Sequence, residues 1–177
     1  QFFWNHWEDL SIIMTHSFSI FGVPLESSSR EEVLARVDTA LSGERFFRVA
    51  TVNPEFLLGA DRDPSFRDNL LSADLRAIDG FGIVLSGWLR GRALHRYPGA
   101  DLLGHILEKA ESDGLPVFLA VRSDGLSSFG EIREALSTRY PALILGGDDF
   151  DQHQASEYLI RNTKYQILFC NFGAPEQ

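Results

Sequence analysis

The sequence predicts an α/β fold, a Rossmann-like and mostly parallel sheet with helices on both faces, in a single domain. Short apolar runs of strand type alternate with longer segments whose apolar residues recur at helical spacing. This alternation is typical of βαβ units, which pair their strands in parallel. The 177 residues suit one domain, and the chain contains no internal repeat or low-complexity linker that would mark a boundary.

The first half of the chain begins with a short strand or hairpin at residues 18–25. A capping box of Ser29 and Glu32 then begins a helix that Gly43 ends. The further elements predicted here are strands at 47–52 and 75–78, helices at 54–60, 63–71 and 80–89, and a basic loop at 89–98.

The second half alternates more regularly. A helix begins at Gly99 or Ala100 and stops at Gly114. Strands follow at 117–121, 143–145 and 167–170, and helices at 126–139 and 152–162. The strand at 143–145 is expected to end in Gly146 and Gly147, which predict either a plain turn or a nucleotide contact. The single Cys170 lies in an apolar run, which favours a buried, inert thiol and fits a reducing cytoplasm.

Charge, residue spacing and apolar length argue against several classes of protein. The net charge of −9 argues against a nucleic-acid binder, which needs a basic face. The glycines at Gly80 and Gly82 are not a dinucleotide fingerprint, because the third glycine is replaced by Leu85. The five histidines have no mutual ligand spacing, so we predict no metal. No stretch approaches the roughly 20 apolar residues of a spanning helix.

Residues 1–17 are interpreted as an N-terminal extension outside the domain. The chain begins with Gln1, and its only methionine is Met14, which favours upstream, non-native sequence before that residue. The stretch has no basic region and no cleavage site of a signal peptide. Its aromatic residues leave open an alternative, an anchor onto a membrane or a partner.

Polar residues stand at the ends of two predicted strands. Thr51 and Asn53 follow the run that ends at Val52, and Asp79 follows the run that ends at Ile78. Ligands bind at the carboxyl edge of open α/β sheets. Asp79 is either a helix N-cap or a general base that takes a proton from a substrate hydroxyl. Thr51 and Asn53 are either an ordinary strand residue and a cap, or a hydroxyl and an amide that bind polar groups of a ligand.

Arg96 belongs to the one basic concentration of this acidic chain, with Arg90, Arg92 and His95. One interpretation of these basic residues is a solvent-exposed loop without a ligand. The other is a diphosphate clamp, because guanidinium pairs with phosphate oxygens bidentately. Gly99 lies at a predicted helix start, where free N–H groups also favour anions.

Four motifs in order carry a resemblance. They are T-x-N-P-E at 51–55, D-G-x-G at 79–82, R-x-x-G-x-D-L at 96–102 and G-A-P-x-Q at 173–177. Together they resemble the WecG/TagA/CpsF glycosyltransferase family, from about Phe18 to Gln177. The resemblance implies an inverting, metal-free and cofactor-free transfer of an N-acetylhexosamine-type sugar from a UDP donor such as UDP-N-acetylmannosamine. The acceptor would be a polyprenyl-diphosphate-linked GlcNAc, in teichoic acid or other cell-surface polysaccharide synthesis.

The resemblance also implies roles for individual residues. Asp79 would be the base, with Thr51 and Asn53 lining the sugar pocket. The implied substrate-binding residues are Arg96 at the leaving diphosphate, Gly80, Gly99, Asp101 and Gln177. The implied location of the full-length protein is cytoplasmic, peripheral to the inner face of the cell membrane. Self-association into a homo-oligomer is left open.

The sequence departs from the family pattern in three places. The glycine pair usual after the strand at 117–121 is replaced by Arg122 and Ser123, and Glu176 stands where a basic residue is usual. We also interpret the chain as cut short at Gln177, before the C-terminal appendage that relatives carry. An alternative therefore stays open: a truncated, non-catalytic α/β domain that binds a nucleotide or a partner. A dehydrogenase is a third alternative, disfavoured by the absent glycine fingerprint.

Overall fold

A computed structural model describes residues 18–43, 45–151 and 164–173. The chain divides into two compact units, residues 1–99 and residues 100–177, and each is described by itself. The strands are β1 (Phe18–Ile20), β2 (Val23–Leu25), β3 (Val49–Val52), β4 (Leu75–Ile78), β5 (Val117–Arg122), β6 (Leu145–Phe150) and β7 (Ile167–Cys170). The helices are α1 (Arg30–Leu41), α2 (Pro54–Arg62), α3 (Pro64–Leu71), α4 (Phe81–Leu89), α5 (Gly99–Asp113) and α6 (Phe129–Arg139).

The first unit contains an antiparallel hairpin and a parallel strand pair. The predicted hairpin is confirmed: β1 and β2 are joined at Phe21 and Gly22, whose φ angles of 50° and 78° both lie in the left-handed region. That geometry is typical of a tight hairpin turn. Strands β3 and β4 pair in parallel, with Thr51 opposite Ala77 and Val52 opposite Ile78. The two strands therefore end side by side.

Side-chain caps begin three helices of this unit. Ser29 and Glu32 form the predicted capping box of α1. The Oδ1 of Asn53 accepts from the N–H of Phe56 at 2.9 Å and begins α2 directly at the end of β3. Asp63 caps α3 in the same way. The core of this unit includes an edge-to-face pair of the Phe56 and Phe66 rings, 5.5 Å apart.

The second unit contains a three-stranded parallel sheet in the order β6-β5-β7. Strand β5 lies in the middle and is buried from Val117 to Val121, as a run of apolar residues without alternation predicts for a central strand. The α/β class and the mostly parallel strand pairing are thus confirmed. The helix predicted at 152–162 lies outside the described residues.

The expectation of a turn at Gly146 and Gly147 is wrong. Both glycines lie inside β6, where they allow close packing. A Cβ added at Gly147 would stand 2.5 Å from the Leu119 carbonyl oxygen and 2.4 Å from the Phe129 ring, and one at Gly146 would stand 1.9 Å from the Tyr165 hydroxyl. A glycine inside a strand often marks such a close approach.

Two further expectations in the second unit are corrected. Helix α6 begins at Phe129 and not at Leu126, because a capping box of Ser128 and Glu131 fixes its start. Leu126 is fully exposed. Cys170 is exposed on β7 instead of buried, although desolvation by neighbouring atoms raises the pKa of its thiol. Within the described ranges, no helix is long and apolar enough to cross a membrane.

Candidate active site

The candidate site is built around the Asp79 carboxylate, at the point where β4 ends. The Asp79 N–H donates to the carbonyl of Val52 at 2.8 Å, which ties the ends of β3 and β4 together. One carboxylate oxygen, Oδ2, accepts from the N–H of Gly99 at 2.9 Å. The other, Oδ1, lies 3.5 Å from a guanidinium nitrogen of Arg96. The side chain keeps 27% of its surface exposed, so it is open to a ligand.

Asp79 does not cap the helix that follows it in sequence. The N-cap of α4 is Gly80, which offers no side-chain hydrogen bond. Asp79 instead caps α5, since Gly99 is the first residue of that helix and lies 20 residues away. The cap and the polar-site readings of Asp79 are therefore compatible, because only one of its two oxygens is used by the helix.

Arg96 is held close to Asp79 by the backbone of its own loop. The next residue, Tyr97, donates its N–H to the carbonyl of Ile78 at 2.6 Å, so the loop runs alongside the end of β4. The Tyr97 ring is buried and carries the Arg30 guanidinium over its face, 5.3 Å from the centroid. The Arg96 side chain is itself 51% exposed. A long, half-exposed ion pair contributes little and is readily exchanged for a better anion.

Thr51 and Gly99 also lie beside the Asp79 carboxylate, and we call these three residues with Arg96 the corner. A Cβ added at Gly99 would stand 3.2 Å from the Thr51 hydroxyl oxygen and 3.3 Å from Asp79 Oδ2. The hydroxyl, the carboxylate and the first N–H of α5 therefore meet at one point, as the strand-end pattern predicts. Gly99 is needed there because a side chain would crowd both polar groups.

Asn53 and Gly80 have structural roles at the same edge. The Asn53 side chain is half-buried and its oxygen caps α2, as the interpretation of this residue as a helix cap predicts. Gly80 is buried, and a Cβ there would stand 2.7 Å from the Pro54 ring. This glycine therefore allows the starts of α2 and α4 to approach closely. Glu55 is exposed in the first turn of α2.

The other predicted site residues are not tested by these contacts. Asp101 is exposed in the first turn of α5. Gln177 lies outside the described residues. Arg90, Arg92 and His95 are exposed in the loop that carries Arg96. Among the described residues, no group of three or more His, Cys, Asp or Glu side chains could hold a metal ion.

Sequence reasoning missed two features of this corner. It assigned the N–H of Gly99 to an anionic ligand, whereas here that group binds the protein's own Asp79. The sequence did indicate that the cap of α5 comes from elsewhere, because Pro98 precedes the helix and has no side chain that can cap it. It also missed an open apolar groove beside Pro54. The other lining residues are Ile20, Phe21, Leu57, Leu58, Gly82 and Ile83.

Comparison with known proteins agrees with the resemblance seen in the motifs. The model of the glycosyl transferase WecG/TagA/CpsF family matches residues 18–177. A curated relative from Bacillus spizizenii is named N-acetylglucosaminyldiphosphoundecaprenol N-acetyl-beta-D-mannosaminyltransferase. It is 28% identical over 134 residues, which are 73% of this chain and 51% of the relative, so the chain spans about half the length of that protein. With the match covering nearly all of its residues, the chain belongs to the WecG/TagA/CpsF family of glycosyltransferases.

Proposed function

We propose that this chain carries the donor site and the catalytic base of an inverting N-acetylhexosaminyltransferase. The donor is UDP-N-acetylmannosamine or a close analogue, and the acceptor is a polyprenyl-diphosphate-linked GlcNAc. The name of the Bacillus spizizenii relative supports this choice of sugar and acceptor. The reaction would serve cell-surface polysaccharide or teichoic acid synthesis, at the cytoplasmic side of the membrane.

One observation carries the proposal: the Asp79 carboxylate and the Arg96 guanidinium lie 3.5 Å apart at the ends of two parallel strands. Sugar transfer at C1 needs a proton acceptor on one side and charge neutralisation of a leaving diphosphate on the other. A carboxylate and a guanidinium supply these two functions. With no metal in the proposed reaction, Arg96 carries the positive charge that meets the diphosphate.

The proposed step is a direct displacement at C1 of the donor sugar. The acceptor hydroxyl oxygen attacks C1 of the donor sugar, and its proton passes to the Asp79 carboxylate. The bond between C1 and the diphosphate oxygen breaks, and UDP leaves with the bonding electrons. Attack from the face opposite the leaving group inverts the anomeric centre. Thr51 and Asn53 would hold the sugar, the first through its hydroxyl and the second through the amide nitrogen that the helix cap leaves unused.

The geometry suggests an order of events. In this structure Arg96 pairs with Asp79. When UDP-sugar binds, the diphosphate offers the guanidinium a bidentate partner that is better than one carboxylate oxygen at 3.5 Å. Arg96 would then move to the diphosphate and release Asp79 to accept the hydroxyl proton. The Gly99 N–H keeps the carboxylate in position throughout.

A transfer assay with Asp79→Asn tests the proposal. The substitution keeps an oxygen that can accept from Gly99 but removes the proton acceptor, so we expect transfer to fall by about 10²–10⁴-fold. Asp63→Asn, at a helix cap in the same unit, is the matched control and should transfer at the wild-type rate. If Asp79→Asn retains most of the transfer rate, Asp79 is not the base.

The second candidate is a non-catalytic domain that binds a nucleotide or a partner. The observation that favours it is that the chain spans only about half the length of its curated relative. It would show UDP binding without detectable transfer by the wild-type chain.

A further inference from the structure

Helix α4 presents an unusual face. It contains no charged residue, and its inner side is buried at Ile83 and Gly87. Four large apolar side chains are instead exposed, and we call them the apolar stripe: Phe81 (71% exposed), Leu85 (42%), Trp88 (71%) and Leu89 (73%). Their spacing of i, i+4, i+7 and i+8 places them on one side of the helix, in a stripe roughly 100° wide. An exposed, contiguous apolar surface of this kind marks an interaction site.

Two exposed arginines follow the stripe directly, and we call Arg90 and Arg92 the basic flank. Their loop is fastened to the buried side of α4, because Leu94 packs where Gly87 has no side chain. A Cβ added at Gly87 would stand 2.3 Å from a Leu94 methyl carbon. The Arg90 guanidinium also stacks over the Phe18 ring, 5.5 Å from its centroid. The stripe and its flank are therefore held next to each other.

The charges of this region indicate what kind of partner the apolar stripe binds. The chain carries 25 acidic and 16 basic residues, yet the residues from 81 to 96 include three arginines and no Asp or Glu. An apolar face bordered by arginines complements a bilayer that exposes anionic headgroups above an acyl region. Trp88 lies at the end of the stripe nearest the arginines, and tryptophan favours the boundary between headgroups and acyl chains.

We propose that the apolar stripe and the basic flank form a docking surface for an anionic lipid bilayer. The stripe enters the headgroup–acyl boundary and the arginines bind lipid phosphates. The inference rests on the proposed function, since a lipid-linked acceptor gives this unit a reason to meet a membrane. The stripe begins two residues after Asp79, so the docking surface and the proposed base are joined by the same short segment.

Sedimentation with vesicles tests the proposal on the full chain. Wild type is mixed with vesicles of phosphatidylglycerol and phosphatidylcholine, and with vesicles of phosphatidylcholine alone. We expect the double variant Leu85→Glu/Leu89→Glu to lower binding to anionic vesicles by at least about tenfold, since two apolar side chains become charged. The matched control, Leu71→Glu/Leu126→Glu, changes two exposed leucines elsewhere and should stay within about twofold of wild type.

The basic flank is tested separately. Arg90→Gln/Arg92→Gln should lower binding to anionic vesicles by roughly tenfold or more at low salt and should have little effect at high salt. Arg62→Gln/Arg133→Gln is the control, because it also removes two exposed arginines, of which Arg133 stacks over a ring as Arg90 does. Binding to phosphatidylcholine alone should be weaker and should not respond to either arginine pair.

Three outcomes would overturn the proposal. The folded chain fails to bind anionic vesicles, or the stripe variant binds them as well as its control does. In the third, the stripe variant changes only self-association in sedimentation velocity, which would make the stripe an interface between copies of the chain. UDP titration of the same variants separates this proposal from the function: stripe variants should bind UDP as wild type does, whatever the vesicles show.

Discussion

Replacing Asp79 by asparagine should strengthen the binding of UDP while lowering the transfer rate by about 10²–10⁴-fold. In the structure Asp79 competes with any diphosphate for Arg96, because its Oδ1 already lies 3.5 Å from the guanidinium. Asparagine is nearly isosteric and can still accept from the Gly99 N–H, but it no longer holds the guanidinium in an ion pair. A residue that only organised the site would have the opposite effect.

The size of this effect follows from the geometry of the ion pair. Two unit charges 3.5 Å apart interact by about 1 kcal/mol in a water-like dielectric. The Arg96 side chain is half exposed, and exposed pairs measure about 0.2–1 kcal/mol. Losing this competition should therefore tighten UDP binding by between about 1.5-fold and 5-fold.

Calorimetric titration with UDP measures this change, and thermal unfolding provides the control. Asp79→Asn should unfold near the wild-type temperature, whereas Asp79→Ala also loses the cap of α5 and should lose about 1 kcal/mol of stability. A tenfold loss of UDP affinity in a stably folded Asp79→Asn protein would rule out competition between Asp79 and the diphosphate for Arg96. It would mean that the carboxylate builds the nucleotide site instead of competing with the nucleotide.

Two predictions concern stability. Gly147→Ala should lower the free energy of unfolding by about 1–3 kcal/mol, because the added Cβ meets a carbonyl of β5 and a ring of α6. Gly104→Ala has open space around it and should stabilise α5 by about 0.5–1 kcal/mol. Chemical denaturation measures both changes. Burial raises the pKa of Glu26, but hydrogen bonds from Ser28 and the charge of Arg36 outweigh burial and leave that pKa below its ordinary value of 4.5. Glu26 therefore stabilises the folded state above pH 4.5, and this stabilisation is lost as the pH falls through its lower folded pKa. Glu26→Gln should flatten the acid side of a plot of unfolding free energy against pH. An unchanged plot would contradict this prediction.

Much of the fold could be predicted from local patterns in the sequence. The capping box at Ser29, the Asn-Pro start of α2 and the apolar run of β5 each depend on neighbouring residues alone, and all three are confirmed. Gly146 and Gly147 misled the prediction because a glycine in sequence looks the same in a turn and in a tightly packed strand. Only tertiary contacts, here with Phe129 and Tyr165, distinguish the two.

The proximity of Thr51 and Asp79 was predictable from the sequence, but the contacts around them were not. Strand ends bring Thr51 and Asp79 to one edge, so their proximity follows from parallel pairing. The hydrogen bond from Gly99 to Asp79 joins residues 20 apart, separated by helix α4 and the irregular loop that follows it, and no local pattern determines it. The exposure of the apolar stripe was likewise hidden, because helical spacing predicts an apolar face without saying which side is covered.

Arg96 is proposed to receive the diphosphate of a UDP-sugar, so UDP titration of the Arg96→Ala protein is the decisive measurement. The loss of charge-assisted hydrogen bonds should weaken UDP binding by about 10–100-fold, while Arg92→Ala in the same loop should leave it unchanged and NAD should not bind to either protein. Equal UDP affinities for the Arg96→Ala and Arg92→Ala proteins would show that Arg96 does not bind the diphosphate.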